Sequence, residues 1–149
     1  MFLYSIKNSP ILADAKIKES RLHDVTHFGI RAAIAVIFIV NASGKLNPGF
    51  VDWLTSNGIP AEMQIPIVLA ELVGGAFLLV GVLTRISASL LSIIALGAIF
   101  YIKKASNLTG EGGYQIDLIL LAACLAIIAI GPGRISLSHL IKKIPRALQ

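Results

Sequence analysis

The chain is poor in cysteine and in charge, and both deficits narrow what it can be. Cys124 is the single cysteine. One thiol excludes an internal disulfide, a CxxC redox motif and a cysteine-built metal site, and Cys124 reads as a small core residue of an apolar run. Charged residues make up 14% of the sequence, against about 25% in a soluble domain. Phosphate-binding loops, dinucleotide fingerprints and nucleophile elbows are all missing; Ser43-Gly44-Lys45 lacks the upstream glycine of a P-loop and follows no strand. The net charge of +5 comes without basic stretches interleaved with stacking aromatics, which argues against nucleic acid as a partner.

What the chain has instead is four apolar segments, at Ile30–Leu46, Ile65–Leu83, Ile86–Ile102 and Ile116–Ile130. Each is near the ~20 residues that cross a bilayer. The pattern predicts an all-α fold: a four-transmembrane-helix bundle with an N-terminal amphipathic cytoplasmic helix and a short interfacial helix in the first outer loop. The expected divisions are 1–29, an amphipathic interfacial or docking segment; 30–134, the four-helix membrane domain; and 135–149, a basic cytoplasmic tail. The first span starts too late for a cleaved signal peptide and is expected to stay.

Charge sets the expected orientation. If the spans alternate, one side holds Lys7, Lys16, Lys18, Arg21, Arg31, Arg85, Arg134, Lys142, Lys143 and Arg146, and the other holds Lys45, Lys103 and Lys104. This bias predicts a multi-pass protein of the cell membrane with cytoplasmic N- and C-termini, in contact with anionic headgroups. Ser9-Pro10 has the form of a helix start, and Ile11 to Phe28 mixes apolar and charged residues as an interfacial or partner-docking helix would. Asn47-Pro48 opens a second short helix, with Phe50, Trp53 and Leu54 on one face. A tight hairpin turn is expected at Thr84–Arg85, and a flexible, glycine-containing turn from Lys103 to Gln115.

Candidate chemistry centres on Glu71, a carboxylate within the second span, where ionisable groups are costly and usually have a partner or a task. Asn41 and Lys45 share a helix face near the outer end of span one, and Gln115 and Asp117 open span four on the same side. Asn41, Lys45, Glu71, Gln115 and Asp117 could therefore converge. Two readings stay open: a polar pocket for a quinone headgroup, a small anion or protons, and a buried ion pair that fixes helix register. Small residues at Ala70, Gly74, Gly75, Gly81 and Gly97 read as helix-packing positions. His23 and His27, four apart, with His139 on the same side, could in principle ligate metal or haem, but such a pair on a polar helix reads first as a solvated face. No metal site and no intrinsic cofactor is expected; quinone is a candidate bound cofactor.

The runs NASGKL at Asn41–Leu46, AELVGGAFLLVGVLTR at Ala70–Arg85 and GGYQIDLILLAACLAIIAIGPGRISL at Gly112–Leu137 resemble the DoxX family of small four-span membrane proteins. The likeness covers roughly Arg31 to Leu137 and includes Lys45, Glu71, Arg85 and Arg134. Two positions depart from the pattern. Gln115 stands where the family often has glutamate, which removes a carboxylate from the candidate pocket, and Ser138 stands where it often has aspartate. The resemblance implies an accessory subunit of a quinone-linked membrane redox complex, with the lipid bilayer and other redox subunits as partners. The alternatives are a catalytic subunit handling quinone or thiosulfate at the outer pocket, or a small carrier or proton conduit.

Overall fold

The computed structural model describes residues 21–136. The expected amphipathic helix before residue 21, the tail after residue 136 and His139 lie outside them. Five α-helices follow in order: α1 (Arg21–Gly44), α2 (Pro48–Ser56), α3 (Gln64–Val80), α4 (Thr84–Gly97) and α5 (Gln115–Ile130). A 3₁₀ turn, Ala61–Met63, leads into α3, and a π-helical stretch, Ala98–Ile102, prolongs α4. There is no strand among the described residues.

Among these residues, Arg21–Gly44, Ala61–Val80 and Thr84–Ile102 are long and apolar enough to cross a membrane. The sequence pattern predicts four such helices. The fourth, α5, is apolar but has 16 residues, about 24 Å at 1.5 Å per residue. Tyr114 and Gly131 bound it, with Gly131 at positive φ closing the C-terminal end. Helix α1 runs unbroken through Gly29 and Ile30, so the last two turns of the expected interfacial segment continue directly into the first apolar span.

Burial is inverted relative to a soluble bundle. Ile93, Phe100 and Ile119 are each about two-thirds exposed, while Arg31, Glu71, Thr84, Ser87 and Ser92 are buried. Helices α1 and α3 pack together, as do α3 and α4, and α4 and α5; α5 returns to α1 and closes the ring. The core is small and apolar, with Ala35, Phe38, Leu78, Ala88, Leu91, Leu120, Cys124 and Ile127. Two adjacent glycines let α3 approach both neighbours. A Cβ at Gly75 would sit 2.9 Å from Ile39 and 3.1 Å from the Ala35 carbonyl of α1, and one at Gly74 would sit 3.2 Å from Leu91 of α4. Without a driving force between apolar helices in lipid, such close backbone contact is what holds a bundle together.

The connections are tighter than expected. The α3–α4 turn falls at Gly81–Leu83 and not at Thr84–Arg85. Gly81 takes the left-handed cap conformation and Leu83 follows at φ 47°, so Thr84 and Arg85 form the first turn of α4. The loop after residue 103 is cross-braced by Tyr114 N–H to the Asn107 carbonyl, 3.1 Å, and Gln115 N–H to the Leu108 carbonyl, 3.0 Å. Asn47 caps α2 through its side chain, which accepts from the Phe50 N–H at 3.0 Å, and Pro48 fills the first helical position. Leu54 is fully buried and anchors α2 to the bundle.

Candidate functional site

Near the junction of α1 and α2, Lys45 reaches Glu71 of α3. The Nζ–Oε1 distance is 2.6 Å, and Glu71 is 2% exposed. The second carboxylate oxygen, Oε2, is buried and has no hydrogen-bond partner among the described residues. Lys45 is held in place by its surroundings. Its ammonium lies 5.7 Å from the Phe50 ring centroid, within cation–π range, and its carbonyl accepts from Gln64 Nε2 at 2.9 Å. Gln64 also donates to the Asn47 carbonyl at 3.2 Å, tying the end of α1 to the start of α3.

Beside this pair is a cavity of about 220 Å³, almost entirely apolar. Phe50 and Trp53 of α2, stacked 5.4 Å apart, form one wall. Ile94, Gly97 and Tyr101 also line it, and Lys45 supplies the charge at its edge. The π-helical stretch places Tyr101 and Ile102 here. Its closing bond runs from Lys103 N–H to the Ala98 carbonyl, and such π-turns are frequent at functional sites.

The five residues singled out from the sequence divide. Lys45 and Glu71 pair. Asp117 bonds instead to Lys103 at 2.6 Å, and Lys103 also donates to the Gly113 carbonyl at 2.9 Å. Asn41 and Gln115 are exposed. The arrangement is two ion pairs at one end of the bundle, one linking α1 to α3 and one linking the end of α4 to α5. That Lys103 lies at the same end as Asp117 was legible in the sequence, but a hydropathy reading gives no reason to choose it over Lys45 as the partner of Asp117.

The opposite end holds Arg31, which the sequence reading took only as a topology marker, and His27, which it read first as part of a solvated helix face. Arg31 is 1% exposed. Its guanidinium donates to the Pro132 carbonyl and, at 2.6 Å, to the Ile135 carbonyl, and it lies 5.5 Å from the Phe28 ring centroid. His27 is buried rather than solvated. Its ring is parallel to that of His23 at 6.4 Å, and it packs where a Cβ on Gly133 would otherwise stand. No group of three or more His, Cys, Asp or Glu side chains suited to a metal occurs among the described residues.

Residues 27–104 match the DoxX family. This is just over half of the chain, and the chain belongs to that family. The matched stretch contains Lys45, Glu71 and Arg85 and ends before Gly112–Leu137. The chain is 29% identical over 100 residues to a Bacillus subtilis protein named "Putative oxidoreductase CatD", covering 66% of this chain and 75% of that one. It is 37% identical over 90 residues to an uncharacterized protein of Haemophilus influenzae, covering 59% of this chain and 60% of that one. No solved structure matches.

Proposed function

We propose that the chain is a quinone-linked accessory subunit of a membrane redox complex and that the cavity beside Lys45 and Glu71 receives the quinone headgroup. The observation that carries this reading is an apolar cavity lined by Phe50, Trp53 and Tyr101, with Lys45, which is ion-paired to the buried Glu71, at its edge. A quinone ring is flat, apolar on its faces and has carbonyl oxygens at its rim. Aromatic walls suit the faces, and the Lys45 ammonium could donate to a rim oxygen while Glu71 balances its charge. A cavity of 220 Å³ is below the ~300 Å³ at which drug-sized ligand sites begin, so it suits a headgroup whose tail remains in lipid. Family membership and the name of the Bacillus subtilis relative support a redox setting.

The same reading takes α5 as a fourth span, which a bilayer accommodates by thinning locally around a short helix. Arg31 and Arg85 both lie against the 131–132 turn, whereas Lys45 and Tyr101 line the cavity at the far end. Together with the basic bias of the whole sequence, this supports the reading of cytoplasmic termini with the cavity in the outer half of the membrane.

Purification in a mild detergent tests the proposal. The expected result is a co-migrating redox subunit together with extractable quinone near one equivalent. A chain that migrates alone and carries no quinone would sink the proposal. Oxidation of a donor by the isolated chain would replace the accessory role with a catalytic one.

A further inference from the structure

Two guanidinium groups flank one turn at the end of the bundle opposite the Lys45 cavity. Arg31 donates to the carbonyls of Pro132 and Ile135, and Arg85, in the first turn of α4, packs against Gly131, where a Cβ would lie 3.6 Å from Nε. Both Nε atoms are buried and have no hydrogen-bond partner among the described residues. The two ion pairs among those residues both lie at the other end, so neither guanidinium is matched by a carboxylate of the described residues. From Arg85 an open groove of about 460 Å³ runs along Ile86, Leu90 and Ile93 of α4, with Ile128 of α5 as its second wall. Ile86 to Ile93 spans about two helical turns.

A cationic head on an apolar trough is complementary to an anionic lipid. We infer that the α4–α5 groove binds an anionic phospholipid, with the phosphate at Arg85 and an acyl chain along Ile86, Leu90 and Ile93. Phosphate oxygens accept readily from guanidinium donors, and basic sites between membrane helices on the cytoplasmic side are suited to such headgroups. A zwitterionic lipid brings its own cation and leaves the charge of Arg85 uncompensated. The inference rests on α4 and α5 lying in the bilayer but not on the quinone cavity, which is at the opposite end.

Native mass spectrometry of the full chain in mild detergent tests it, with phosphatidylglycerol and phosphatidylcholine of matched acyl chains as probes. Phosphatidylglycerol is expected to bind about tenfold more tightly, and Arg85→Gln to abolish the preference. Because Arg85 also packs against Gly131, a second variant is needed. Leu90→Trp obstructs the groove from an exposed position, keeps Arg85, and should also lose the lipid. Retention of the preference in Arg85→Gln, undiminished lipid binding in Leu90→Trp, or displacement of the lipid by millimolar inorganic phosphate would each overturn the assignment, the last by showing a free-anion site. Quinone content measured in the same samples keeps failure here separate from failure at the Lys45 cavity.

Discussion

Lys45→Met should destabilise the bundle by about 3–5 kcal/mol, because it leaves the Glu71 carboxylate buried with its one hydrogen-bonding partner among the described residues removed. Adding Glu71→Met should restore stability to within about 1 kcal/mol of the parent chain, since replacing a whole buried pair with apolar side chains of similar volume is often neutral. Reversible unfolding in SDS, followed by helical circular dichroism, measures both. The double variant then separates two roles that the pair can have. If it folds and still binds quinone, the pair only sets the register of α1 against α3. If it folds and binds none, the pair belongs to the ligand site. A Lys45→Met variant as stable as the parent would show that the ion pair contributes nothing.

Arg31→Met should free the 131–136 segment and cost on the order of 3 kcal/mol. Two hydrogen bonds from a charged donor are lost, each worth about 1.5–3 kcal/mol, against a modest gain from burying an apolar chain. Arg31→Lys should recover only part of this, because an ammonium lacks the planar fork that serves two carbonyls at once. Gly81→Ala should mimic the loss by another route, since its Cβ would stand 3.0 Å from the Arg31 Cζ and 2.5 Å from the Ser136 Cβ, on a residue with φ 77°. Hydrogen exchange should rise at residues 131–136 in all three variants and stay unchanged in the middle of α3. Unchanged protection of the segment in Arg31→Met would contradict the pinning role.

Much of the architecture was legible because lipid-facing helices carry their signature locally. Apolar runs gave the helices, Asn47-Pro48 marked the start of α2, and the i, i+3, i+4 spacing put Phe50, Trp53 and Leu54 on one side, where Leu54 is now buried and the two rings stack. Lys45 and Glu71 were legible because a carboxylate two turns into a span needs a cation near the same end. The rest depends on contacts far apart in the chain. The burial of Arg31 is set by carbonyls 101 and 104 residues away, so in one dimension it looks like any arginine at the cytoplasmic end of a span. His27 is covered by Gly133 for the same reason. The choice of Lys103 by Asp117 follows from the α4–α5 packing, and the π-turn at Ala98–Ile102 leaves no mark in an apolar stretch without proline. Helix α5 shows the limit of hydropathy alone: its composition is that of a span, but its length is set by the turns that bound it.

The central claim is that the cavity beside Lys45 takes a quinone headgroup, and Trp53, the only tryptophan, lines it. Titration of the purified protein with a short-tailed quinone, read by Trp53 fluorescence, tests this most directly when the chain is compared with Gly97→Leu. Gly97 lines the cavity, and a Cβ there meets nothing within 4 Å, so the backbone accepts a leucine, whose bulk is expected to take up cavity space and which favours the helix. Saturable quenching with about one quinone per chain, abolished by Gly97→Leu at unchanged thermal stability, is the predicted result. Quenching that is linear in quinone, or equal in the two proteins, would contradict it.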